Sequence, residues 1–296
     1  MTTGAAPLRL GDRLLARPRG RTAVDRAMRG ATLAATVLVL IPLAALVAYV
    51  VIEGWPWLDM EFLTSPPVDY VRGGALNAIV GTLQLVPIAT LIAAPIGVLG
   101  GVYLAELAPG RMAAGVRFGT DILVGLPSIV VGVFVYTLLV VPFHTYSAIA
   151  GVTALAILMV PVILRNTEEM LRLVPASVRE GALALGMPRW RVITKVVLRA
   201  GFSGILTGIV LAVARAAGET APLLLTALGN RLVNVGDLRK PIDALPIFVY
   251  VNSGQPSPVL IGQAWAAALL LLVFVLAANV LVRIAASRRS TSGRRR

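Results

Sequence analysis

Six stretches of the chain are nearly unbroken apolar runs, at 30–52, 76–104, 118–141, 147–164, 202–228 and 260–284. At about 1.5 Å per residue the first is roughly 34 Å long as a helix, against about 30 Å of bilayer hydrocarbon. The second run contains Pro87 and Pro95, the third Pro127, the fourth Pro161 and the fifth Pro222. Prolines inside spans predict kinked or broken helices whose freed carbonyls must be satisfied by neighbouring protein. The pattern predicts an all-α membrane protein with six transmembrane helices. The first run begins behind a long basic segment and is too long for the apolar core of a cleaved signal peptide.

The Lys/Arg bias of the flanks sets the expected orientation. Before the first run stand Arg9, Arg13, Arg17, Arg19, Arg21, Arg26 and Arg29, and after the last stand Arg288, Arg289 and Arg294 to Arg296. Both tails, 1–29 and 286–296, are therefore expected in the cytoplasm, which requires an even number of spans. The loop after span 1 holds Glu53, Asp59, Glu61 and Asp69 against Arg72 and is predicted outside. The basic loop between spans 4 and 5 is predicted inside. The last outer loop carries Arg231, Arg239 and Lys240, a mild violation of the bias.

Composition agrees with this reading: 57% of the 296 residues are hydrophobic and only 14% charged, where soluble domains carry about 25% charged residues. There is no cysteine, which removes disulfides, thiolate metal sites and thiol nucleophiles. One histidine, His144, leaves no histidine cluster for a metal. The net charge of +13 sits largely in the tails. Without interleaved aromatics it points to a membrane surface, lipid included, and not to nucleic acid.

Two places carry candidate chemistry. In the loop at 165–201, Pro175 can begin a helix over 176–185 that ends at Gly186, with Pro188 as a stop before a second stretch. Two short amphipathic helices joined at a glycine are predicted at the membrane face. In span 5, Arg215 falls near mid-bilayer, about twelve residues in. An ionisable residue there costs at least ~2.5 kcal/mol, so such residues face a protein interior or a wet cavity. Glu219 follows one turn later on the same face. The pair reads either as a packing lock or as a gate on a polar route. Arginine suits an oxyanion because its planar fork binds bidentately and stays charged; Glu219 could hold Arg215 between turnovers. Arg165, ending span 4, reads as a snorkelling edge anchor or a second route residue. Asp121, at the start of span 3, reads as an interfacial cap.

Over about residues 73 to 285 the chain resembles the PstA-type permease subunits of phosphate ABC importers. The resemblance rests on GGALNAIVGTLQLV entering span 2, APIGVLGGVYLAE ending it, GLPSIVVGVFVYTLLV in span 3, LRNTEEMLRLVPASVREGALALGMPRW in the loop and ARAAGETAPLLLTALGN in span 5. Within the loop, Glu180-Gly181-Ala182, then Gly186, then Val196-Val197-Leu198 resembles the EAA loop with which such permeases dock on their ATPase. Here Gly181 replaces the first alanine and Arg199 stands where a proline often follows.

The resemblance implies a MetI-like, type I importer permease fold over 73–285, in a bacterial plasma (inner) membrane. It implies a second, PstC-type permease, two PstB-type cytoplasmic ATPase subunits, and a PstS-type binding protein delivering inorganic phosphate from outside. It assigns Arg215, Glu219 and Arg165 to the transport path and Glu180, Gly181, Ala182 and Gly186 to docking. The chain is expected to bind no metal or other cofactor and to hydrolyse nothing, having no G-x-x-x-x-G-K-[ST] loop; ATP and magnesium would be used by the partner. Rival readings are an ABC permease for another solute, an ion-driven transporter, for which no convincing internal repeat is present, and a membrane enzyme, for which no nucleophile–base pair is present.

Overall fold

The computed structural model describes residues 19–68 and 73–292, with side chains over 24–68 and 73–280 and at 284. The tail arginines at 9, 13 and 17, the side chains at 19, 21, 288 and 289, residues 294–296, and Asp69 and Arg72 of the first loop lie outside the described residues. Eleven helices are named here: α1 (Arg19–Gly54), α2 (Met60–Thr64), α3 (Leu76–Glu106), α4 (Gly110–Gly125), α5 (Ser128–Phe143), α6 (Ala148–Arg172), α7 (Ala176–Ala184), α8 (Arg189–Ala217), α9 (Ala221–Thr226), α10 (Leu245–Ser253) and α11 (Pro258–Ser292). Only two isolated bridges, Pro67–Gly73 and Leu228–Ile242, represent β structure among the described residues.

Among the described residues five helices are long and apolar enough to cross a membrane, and six if α4 and α5 count as one bent span. The first of them, Val24–Trp57, is strongly apolar between its charged ends and largely exposed, and up to Val51 it belongs to a unit separate by contact from the rest. The remainder, from Ile52 onward, forms the second unit.

Within the second unit α3 packs along α6. Gly81, Leu85, Ala89, Ala93, Gly97 and Gly101 are buried at strict four-residue spacing. A β-carbon at Gly97 or Gly101 would strike Ile163 or Thr167 of α6, so the two helices approach as closely as their backbones allow. Small residues serve this purpose in membranes, where helices cannot gain by leaving water and association rests on packing. Leu155, Met159 and Ile163 of α6 and Ala212 and Ala216 of α8 complete the same core.

The third predicted span is not one straight helix. α4 and α5 meet at 98°, across Leu126 and Pro127. Proline lacks the N–H needed to continue the ladder. α5 packs Val131, Val135 and Val140 against Ala150, Ala154 and Leu158, in the first half of α6. α4 reaches the other end of α6 through its charged side chains. At sixteen residues α5 is about 24 Å long, a little short of the hydrocarbon thickness, which a bent span tolerates. Asp121 does not cap this span; it lies within α4.

The fifth span also breaks. α8 ends at Ala217, and α9 starts at Ala221 with Pro222 in its first turn. In the other direction α8 runs back to Arg189 through a π turn at Ile193–Val197. The second short helix expected after Gly186 is thus the beginning of span 5.

Candidate functional site

The break in span 5 carries the charged pair. Arg215 is in the last turn of α8, where a cation complements the carbonyl end of the helix. Gly218 N–H donates to the Arg215 carbonyl and Glu219 N–H to that of Ala216, closing the last turn before the chain leaves the helix. Arg215 Nε lies 3.5 Å from Glu219 Oε1, the outer limit of a hydrogen bond. The Arg215 side chain is 46% exposed and that of Glu219 14%. Glu219 therefore holds the guanidinium loosely, and the fork remains accessible.

Arg215 lines a shallow depression with Leu158, Met159 and Val162, the middle turns of α6. Along α8 the exposed positions Ser203, Thr207, Leu211 and Arg215 recur every four residues and continue to Gly218. Four-residue spacing places them on one helix face. A face with two hydroxyls and an arginine is poorly suited to acyl chains.

Arg165 has other partners. Its Nε lies 3.1 Å from Glu169 and 3.6 Å from Asp121 of α4, and its Nη1 3.5 Å from Glu168. Glu168 is fully buried and also receives Arg117 Nε of α4 at 2.5 Å and Arg172 at 2.8 Å. Three arginines thus converge on one buried carboxylate, the arrangement that makes burial of an anion tolerable. The cluster ties α4 across the end of α6 near α7.

α7 presents Glu180 and Gly181 outward and buries Ala182. Nothing lies within 4 Å of a β-carbon built at Gly181. Gly186 has φ +78°, a conformation that L side chains rarely adopt. Its N–H donates to the Leu183 carbonyl and that of Met187 to Ala182, the paired bonds of a Schellman stop. Leu185 is 84% exposed and Trp190 60%. Apolar side chains are thus presented on the outer side of this loop.

At the opposite end the sequence reading missed a buried polar cluster. Asn77, in the first turn of α3, donates through Nδ2 to Asp243 Oδ2 at 2.8 Å and to the Asn230 carbonyl at 2.6 Å. Thr82 accepts from Leu245 N–H at the start of α10, and Gln84 holds the loop at Asn234 and Gly236. The loop in turn caps α6: Ala148 and Ile149 N–H donate to the carbonyls of Lys240 and Leu238. Burial raises the Asp243 pKa from 3.8 to about 7, against the lowering effect of the Ala244 N–H and Asn77. Asp237 is shifted down by the Arg239 N–H and Lys240. Asp243 borders a cavity of about 240 Å³ with Asn230, Arg231, Asn252 and Gln263. The GGALNAIVGTLQLV block contained three of the anchors, but their partners lie about 150 residues or more away. Among the described residues no three His, Cys, Asp or Glu side chains gather to hold a metal.

The model of the binding-protein-dependent transport system inner membrane component family matches residues 97–291. The phosphate transport system permease protein PstA of Yersinia pestis is 48% identical over 221 residues, covering 74% of this chain and 75% of the relative. PstA of Haemophilus influenzae is 42% identical over 262 residues, covering 88% and 93%. A probable PstA of Methanocaldococcus jannaschii is 39% identical, covering 85% and 90%. Among solved structures, a bacterial alginate ABC transporter in complex with an alginate pentasaccharide-bound periplasmic protein aligns with TM-score 0.61 at 16% identity, covering 91% of this chain and 98% of that one. An inward-facing MetNI methionine ABC transporter aligns with TM-score 0.57 at 19% identity, covering 71% and 94%. At these identities the likeness concerns the fold, that of ABC importer permeases. The chain belongs to the binding-protein-dependent transport system inner membrane component family, and within it to the PstA-type phosphate transport system permeases.

Proposed function

We propose that this chain forms one half of the translocation path of an ATP-driven inorganic phosphate importer, with the Arg215 face of α8 as its wall. The observation that carries the reading is an exposed, permanently charged guanidinium level with the middle of α6, loosely held by Glu219 at a helix break. A bare cation at that depth is costly against lipid, and it is accounted for when the face meets a second permease across a wet route. Phosphate displaces Glu219 from the arginine fork, and Glu219 recaptures the fork once the anion has passed. Arg165, bound by carboxylates at the far end of α6, serves as a later contact on the same route. The names of the relatives support phosphate over other solutes.

The complex contains a PstC-type permease, two PstB-type ATPase subunits using ATP and magnesium, and a PstS-type binding protein. α7 docks on the ATPase through Glu180, Gly181 and Ala182, with Gly186 setting the turn. The chain sits in a bacterial inner membrane with both termini on the cytoplasmic side, a reading supported by the arginine-rich flanks.

The test is labelled phosphate uptake in cells lacking this chain and other phosphate importers. The native gene restores uptake. Arg215→Gln lowers it about 100-fold, as expected for losing roughly 2.7 kcal/mol of charge-assisted binding, while the ATPase still co-purifies. Full uptake by the glutamine variant would remove Arg215 from the mechanism.

A further inference from the structure

We propose that Arg179 and Glu106 form the joint through which movement of α7 reaches the membrane-spanning bundle; this rests on the reading of α7 as the ATPase-docking helix. Arg179 is adjacent to the exposed Glu180 on α7, but it points the other way. Its Nε and Nη2 donate to Glu106 Oε1 at 3.2 and 2.7 Å. Nη1 donates to the Val174 carbonyl at 2.5 Å and Nη2 to the Leu171 carbonyl at 2.7 Å. One guanidinium thus joins three elements: α7, the terminal residue of α3 and the chain leaving α6. Leu171 is in the last turn of α6, where the helix dipole is negative, and its carbonyl also accepts from Val174 N–H; Val174 is two residues beyond the helix end. Arg189, the first residue of α8, adds a bond from Nη2 to the Glu106 carbonyl at 3.2 Å.

The rest of α7 offers little purchase. Ala182 is its only buried residue, and the linkers on either side, 173–175 and 185–188, are short loops ending in prolines. A helix of nine residues so attached would swivel under load. The Arg179 fork prevents this, because its planar donors fix direction as well as distance. The Arg179 side chain is 24% exposed and Glu106 10%, so the bond is shielded from the screening that weakens surface pairs. Pulling α7 then pulls the ends of α3 and α6, the most closely packed helix pair in the unit, whereas docking itself needs only the outer face of α7. Arg179 and Glu106 are positioning residues that touch neither phosphate nor nucleotide.

The experiment uses the assembled complex in proteoliposomes, reading phosphate imported per ATP hydrolysed. Arg179→Gln and Glu106→Gln leave the ATPase bound and hydrolysing, and lower imported phosphate per ATP about tenfold, the scale of a typical coupling free energy. This chain has no cysteine, so Arg179→Cys with Glu106→Cys supplies its only thiols. The double variant is uncoupled when reduced and regains coupling when a short bifunctional thiol reagent bridges the pair. A misfolded subunit would not recover on bridging. Native coupling in both glutamine variants, or no recovery in a cross-linked complex that still binds ATPase, overturns the joint alone. Failure of the native chain to retain any ATPase overturns the docking reading and the joint with it.

Discussion

Asp243 shows how one side chain can hold a long loop in place. Its oxygens accept from Asn77 and from its own neighbour's N–H, and its burial leaves the anion poorly solvated. Its pKa rises to about 7. An acid that binds its proton more tightly in the folded state contributes stability fully below its unfolded pKa of about 4 and loses it as the pH rises through its folded pKa. The loop at 227–244 is therefore expected to loosen between pH 5 and pH 8. Measured as thermal unfolding of the purified complex in detergent, the native Tm falls across that range. In Asp243→Asn, which keeps the shape and cannot ionise, the fall is reduced; an unchanged pH profile would contradict the assignment. Glu168 is the contrasting residue. It is fully buried with three arginines around it: Oε1 takes Arg117 and Arg172, while Oε2 makes no hydrogen bond and has Arg165 at 3.5 Å. Arg117, Glu168, Asp243 and Asn77 were all visible as letters in the sequence. Their significance was not, because each depends on a partner from another helix or loop, and hydropathy periodicity reports only which face of an element is apolar.

At the scale of elements, the loop signals were local and therefore legible. Gly186 followed by Pro188 is a helix stop in any context, and the structure places the stop there with a left-handed glycine. The four-residue run of mostly small side chains on α3 went unread, because nothing in its spacing names α6 as the helix it faces. The breaks in spans 3 and 5 were only half legible. Proline marked both, but proline can begin, kink or end a helix. What ties α4 down beyond the 98° bend is long-range: Arg117 and Asp121 pair with residues of α6 that sequence spacing cannot match to them. This tie can be tested at its own scale. Glu168→Gln leaves three arginines around a neutral side chain, and breaking a buried pair costs about 3 kcal/mol or more. The complex should unfold at a lower Tm, with α4 the first segment opened to protease. Glu169→Gln, whose side chain is half exposed, should leave both measurements near native values. Equal effects from the two variants would remove the special role of the buried carboxylate.

The unit from Ile52 onward carries a polar cluster at each end of α6 and a charged residue level with its middle. Near α7, Arg179 and Glu106 gather the ends of α3 and α6, with Arg189 of α8 on the Glu106 carbonyl. At the other end the Asn77–Asp243 cluster gathers the loop that caps α6 and opens α10. Between them Arg215 is presented on a face of α8 that is exposed among the described residues. Leu211 lies one turn before Arg215 on the same stripe and is 60% exposed. In a lipid-facing helix it would be an ordinary apolar contact; on a wet route it meets water. In the assembled complex, Leu211→Cys should react with a water-soluble methanethiosulfonate reagent, and the reaction should slow when phosphate is transported under ATP. Reaction only with a membrane-soluble maleimide, unaffected by phosphate, would show that face turned to acyl chains and would contradict the account.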